Sequence, residues 1–196
     1  MTAAASDPID PLIHAALAEA WAGAGGDPEA AAEAKKAFER SPKLPTQPRL
    51  LVEATYSQMS GRWHEAYRIY KRLWESSQGG LEYGLLLADA QKETGRYDDT
   101  FQTLDALKNL PPPDRYDPRI QLQGAEVAEY SQDYQRERTP AQAASERATA
   151  LGANRLFAEA TIHLGWALTS LASSQTRKTR FPRLTACTHS PAKRPE

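Results

Sequence analysis

The sequence predicts an all-α fold, a curved solenoid of antiparallel helix pairs followed by a polar tail, and three observations carry that expectation. Between Leu81 and Leu107 two apolar stripes face each other across a glycine turn. Leu85, Leu86, Leu87, Ala88 and Ala90 sit among Glu82, Asp89, Lys92 and Glu93, a wide apolar face with a charged back. No β-branched residue falls between Leu81 and Glu93, which disfavours a strand. Gly95 closes the first helix, Asp98 and Asp99 favour the start of the second, and Phe101, Leu104, Leu107 and Leu110 continue its apolar stripe until Pro111, Pro112 and Pro113 stop it. The third observation is repetition. Gly61-Arg62-Trp63-His64-Glu65-Ala66 aligns with Gly95-Arg96-Tyr97-Asp98-Asp99-Thr100 at an offset of 34, and Leu51, Ala54, Tyr70 and Leu73 align with Leu85, Ala88, Leu104 and Leu107.

An offset of this size is the period of tetratricopeptide units. With Ala54, Ala66 and Ala88 where that pattern needs close helix approach, and Trp63 and Tyr97 at its turn aromatic, the chain resembles the tetratricopeptide family. The resemblance implies a tetratricopeptide-like solenoid whose first helices line a peptide-binding groove.

Taken in order, residues 1–6 are expected to fray, and a helical repeat domain is expected over 7–172. Asp7-Pro8 and Asp10-Pro11 look like connectors, and Leu12 to Ala22 forms a first helix with Ile13, Leu17 and Trp21 four apart. Asp27-Pro28-Glu29 reads as an Asp cap, a first-position Pro and an acid, opening a helix to Arg40. These make a pair over 12–40. Pro42, Pro45 and Pro48 predict a long loop over 41–48, with Gly26 standing 35 residues before Gly61. Further pairs are expected over 49–75, 81–110 and 118–151. In the last of these Pro140 interrupts the second helix, and Thr139-Pro140 predicts a kink or a restart there. An unpaired helix over 154–171 carries Phe157, Ile162, Leu164, Trp166 and Leu168. From 173 to 196 the composition is Ser, Thr, Arg, Lys and Pro, which predicts a disordered tail.

Charge and cysteine content narrow the classes of function. The chain has 24 basic and 25 acidic residues, but Arg177, Lys178, Arg180, Arg183, Lys193 and Arg194 concentrate positive charge at the end. The body is therefore acidic, which argues against a nucleic-acid-binding domain. Cys187 is the single cysteine, so an intramolecular disulfide is excluded. Residues 1–10 lack the basic and apolar regions of a secretory signal, and no uncharged apolar run approaches a membrane span. A cytoplasmic location and no membrane partner are expected.

Catalytic, cofactor and metal sites are not expected. His64-Glu65 begins like a zinc-protease motif, but Arg68 stands where the second His is required. Cys187-Thr188-His189 supplies two ligands where a zinc site needs more, and His14, His64 and His163 are scattered. Gly23-Ala24-Gly25-Gly26 follows a helix rather than a strand and lacks the Lys-Ser or Lys-Thr of a phosphate loop. Trp21, Phe38, Tyr70, Trp74 and Trp166 read as core.

The positive candidate follows from the resemblance. Matched register carries groove positions onto Thr55, Gln58, Glu82, Asp89, Lys92, Arg119, Glu126 and Glu129, an acidic balance suited to a basic or amphipathic segment. It departs from the Lys- and Asn-rich clamp by which some relatives capture a carboxylate. Ordinary solvated helix faces are the alternative. A second candidate surface is Ile162, Leu164, Trp166, Leu168 and Leu171, apolar residues with no covering helix, for which self-association is expected.

Several phrases, among them DPIDPLIHAALAEAW, GRWHEAYRIYKRLWE, LEYGLLLADAQ and LPPPDRYDPRI, are similar to the C-terminal repeat regions of bacterial eukaryotic-like serine/threonine protein kinases and related winged-helix regulators. The chain lacks a Gly-rich phosphate loop, a His-Arg-Asp loop and an Asp-Phe-Gly triplet. Two functions are therefore expected in turn: a non-catalytic protein- or peptide-binding scaffold or, alternatively, a detached or truncated sensor region of such a kinase or regulator.

Overall fold

The computed structural model describes residues 10–77 and 79–180. Their helices are α1 (Pro11–Gly23), α2 (Asp27–Arg40), α3 (Thr46–Met59), α4 (Trp63–Ser76), α5 (Leu81–Glu93), α6 (Tyr97–Leu107), α7 (Pro118–Tyr130), α8 (Tyr134–Ala150) and α9 (Asn154–Arg180), and no strand occurs among the described residues. Each helix packs on the next in sequence. The first helices of the pairs also lie side by side, α1 against α3, α5 against α7 and α7 against α9, and this gives an all-α solenoid.

One turn geometry is used repeatedly. Gly25, Gly61, Gly95 and Gly152 end α1, α3, α5 and α8 with φ of 79°, 71°, 74° and 65°, the left-handed conformation that costs glycine least. In each turn the amide three residues past the helix reaches back five residues, as in Arg62 N to Ser57 O at 2.8 Å and Arg96 N to Gln91 O at 2.8 Å. The residue matching Gly61 is thus Gly25, not Gly26. After α7 the same position is held by Gln132, with φ of 59°.

Small residues set the helix spacing. Ala54, Ala66 and Ala88 are fully buried, as close approach at matched register requires. Around them Tyr70, Leu73 and Leu87 form one apolar cluster, and Leu85, Leu104, Leu107, Ile120 and Val127 form the next. At Gly84 the contact is closer still, since a Cβ there would stand 2.5 Å from both Leu107 and Trp74.

Several boundaries differ from expectation. Helix α3 starts at Thr46 rather than Arg49, because Pro48 lies in the first turn, where its missing N–H has no intrahelical partner to lose. Asp27 is the first residue of α2, not its cap, and makes no capping bond; the Asp caps that do form are Asp10, Asp117 and Asp133. Helix α6 ends at Leu107, and Leu110 packs on the core from the turn beyond.

Pro140 does not restart a helix, for α8 runs through it from Tyr134 to Ala150. Its ring packs against Gly124 of α7, where an added Cβ would lie at the ordinary contact distance of 3.5 Å from that of Pro140. Helix α9 continues to Arg180, so residues 173–180 of the expected tail are helical. The remainder of that tail, with Cys187 and His189, and the expected frayed start at 1–6 lie outside the described residues. No helix among the described residues is long and apolar enough to cross a membrane.

Candidate functional site: a concave groove

The first helices turn one face toward a common cavity of about 380 Å³. Glu19 and Ala22 reach it from α1, Gln58 and Met59 from α3, Glu82, Leu85, Leu86 and Asp89 from α5, Arg119, Leu122, Gln123 and Glu126 from α7, and Arg155, Leu156 and Glu159 from α9. The solenoid curves enough to bring its ends together: a Cβ on Gly23 of α1 would stand 3.2 Å from the Arg155 guanidinium of α9. The floor is apolar leucine and the walls carry charge.

Five of the eight expected groove residues line this cavity: Gln58, Glu82, Asp89, Arg119 and Glu126. Most of their charge is already matched. Arg119 donates to both carboxylate oxygens of Glu82, at 3.0 and 2.7 Å, and to Asp117. Lys92 is buried, its Nζ 3.0 Å from Asp89 and 2.9 Å from Glu126, and 5.2 Å from the centre of the Tyr130 ring. Burial pulls the Lys92 pKa down, but Asp89 and Glu126 outweigh it and hold the ammonium well above its ordinary range. Lys92 therefore ties α5 to α7 and does not face a ligand.

Thr55 is buried and does not reach the groove, because its side of α3 packs beneath Tyr70. The Tyr70 hydroxyl donates to Gln58 at 2.7 Å, and burial, followed by Glu19 and Asp89, raises its pKa. Glu129 leaves the groove altogether and accepts from His163 of α9 at 2.8 Å.

Glu19, Arg155 and Glu159 lie on the first and last helices, outside the matched register that gives groove positions on the middle repeats. Arg155 bonds Glu159 at 2.9 Å, one helical turn apart. Glu19 makes no ion pair among the described residues, and its pKa is raised by the enclosing walls and then by Glu82. It is the unbalanced acid of the groove.

The expected association surface divides in two. Ile162 and Trp166 are each 58% exposed and follow Arg155 and Glu159 at helical spacing, on the same face of α9 but beyond the cavity lining. Leu164, Leu168 and Leu171 form a separate stripe on the other flank of the buried Ala160 and Ala167. Trp166 is thus not core, and neither is Phe38, which is 39% exposed and stacks on Tyr56 with ring centroids 4.7 Å apart.

Three helices also converge on a cluster that the sequence does not advertise. Glu129 of α7, Glu137 of α8 and His163 of α9 place one ligand atom each within 4.8 Å of one another. Glu137 is fully buried, and burial, followed by Glu129, raises its pKa to about 7 against the opposing pull of His163. No protein-family model matches the chain, and no curated protein matches it.

Proposed function

We propose that the chain is a non-catalytic binding module that holds a peptide or an amphipathic protein segment in its concave groove. The observation that carries this reading is the convergence of five first helices on one leucine-floored cavity, with Glu19 unbalanced at its wall. A ligand with an apolar face fits the floor formed by Leu85, Leu86, Leu122 and Leu156. Because Arg119 and Lys92 neutralise the groove acids around them, a segment of moderate basic charge suits it better than a polybasic one. The tetratricopeptide resemblance points the same way.

Panning a random peptide library on the purified chain tests the reading. Enriched peptides are expected to be amphipathic with a basic residue, and to lose binding to Glu19→Arg and to Leu122→Glu. Enrichment that both substitutions leave unchanged would overturn it.

The stripe Leu164, Leu168 and Leu171 supports a second, finer proposal, self-association through α9. Sedimentation of the chain at micromolar concentration should show a reversible oligomer that Leu168→Glu dissolves; a monomer in both forms would contradict it.

A further inference from the structure

We propose that Glu129, Glu137 and His163 form a binding site for one divalent first-row transition-metal ion, of the zinc or manganese class, that fastens α7, α8 and α9 together. Both carboxylate oxygens of Glu137 are buried with no hydrogen-bond partner. A buried carboxylate left in this way is costly unless a donor or cation satisfies it. The nearest titratable groups are the Glu129 carboxylate and the His163 ring, whose Nδ1 lies 2.8 Å from Glu129 Oε2 and 3.8 Å from Glu137 Oε1.

The donor set is chemically selective. Two carboxylates and a neutral imidazole, its proton carried on Nε2 so that Nδ1 is free to ligate, balance the charge of a divalent ion, and mixed O and N donors suit zinc, manganese or ferrous iron, whereas magnesium and calcium favour oxygen alone. Ligand atoms about 2.1 Å from a tetrahedral ion stand about 3.4 Å apart. The two distances from Nδ1 bracket that edge, and the carboxylate oxygens, within 4.8 Å of each other, would close by no more than about 1.4 Å to reach it. Access comes from the side of Glu129 and His163, whose side chains are 37% and 17% exposed, while Glu137 closes the back. Water would complete the coordination on that open side.

The site also accounts for the composition of α8. Apart from Glu137, its buried residues are Ala141, Ala144 and Ala148, small side chains that supply little apolar area. A metal joining its first turn to α7 and α9 would add to the little apolar area that these alanines bury.

The test uses the full chain stripped of metal with chelator and titrated with zinc, manganese or magnesium chloride by calorimetry, with thermal unfolding measured alongside. Zinc is expected to bind at one equivalent and raise Tm, manganese to bind more weakly, and magnesium not to bind. Glu137→Gln and His163→Gln should each weaken zinc by more than about tenfold, since even residues outside the ligand set commonly change affinity that much. Glu137→Gln replaces an unpartnered buried carboxylate with a neutral isostere, so the metal-free variant should fold, which circular dichroism checks. Cys187→Ser combined with His189→Gln, which removes the Cys-Thr-His pair of ligands, should leave binding intact. Visible absorption of the cobalt-substituted chain should show an N/O ligand field that His163→Gln abolishes. Absence of zinc binding, binding lost with Cys187 and His189, or binding unchanged in folded Glu137→Gln and His163→Gln would each overturn the proposal.

Discussion

Arg119 grips Glu82 with two parallel hydrogen bonds, 3.0 and 2.7 Å long, across the junction of α5 and α7. Lysine carries the same charge but lacks the fork. The pair is 39% and 67% exposed, so solvent screens it. Arg119→Lys should cost no more than about 1 kcal/mol in urea unfolding, less at high salt. A larger loss would mean that the groove junction depends on this pair more than its exposure implies.

Asp117 links stability to acid. It accepts from the Arg119 amide at 2.9 Å and from the guanidinium at 3.0 and 2.9 Å. Burial alone would raise its pKa, but the bonds from Arg119 outweigh burial and hold it below the ordinary 3.8. A folded-state pKa lowered in this way contributes stability fully above the unfolded value and loses it as pH falls through the folded one. Asp117→Asn keeps a capping acceptor and removes the charge. Unfolding followed from pH 6 down to about 2 should therefore show a shallower loss of stability in the variant below about pH 4; parallel curves would contradict the assignment.

Gln132 occupies a position that four other turns give to glycine. A side chain at φ of 59° costs energy that glycine avoids. Gln132→Gly should stabilise the chain by about 0.5–1 kcal/mol, while Gly95→Ala should destabilise it by about 1 kcal/mol. Chemical denaturation of both variants checks the sign.

Gly84→Ala should destabilise even though alanine is the better helix former. Its Cβ would stand 2.5 Å from Leu107 and Trp74. Overpacking costs about 1–3 kcal/mol, against about 1 kcal/mol gained in propensity. Combined with Leu107→Ala, it should cost less than the sum of the two single losses if the clash is the cause; strict additivity would locate the cost elsewhere.

The middle of the fold was legible because glycine turns and buried alanines recur locally: Gly61 and Gly95 mark the turns, and Ala54, Ala66 and Ala88 mark the contacts. Where a residue serves a local geometry that its type does not announce, spacing alone does not place it. Gln132 stands in a left-handed turn, Pro140 lies inside α8 with its ring against Gly124 of another helix, and Pro48 lies within a first turn. The groove was half legible for a related reason. Register within one repeat can be read from spacing, but the approach of Gly23 to Arg155 depends on curvature accumulated over the whole array. The same holds for the cluster of Glu129, Glu137 and His163, whose spacing follows no local motif and whose meeting requires three helices to pack first.

The most direct test of the account is where a bound peptide perturbs the chain. Amide chemical shifts recorded by NMR, with and without a peptide selected on the purified protein, should move along the groove-facing residues of α1, α3, α5, α7 and α9, including Glu19, Leu86, Gln123 and Glu159. Shifts confined to the outer helices α2, α4 and α6, with the groove unmoved, would contradict it.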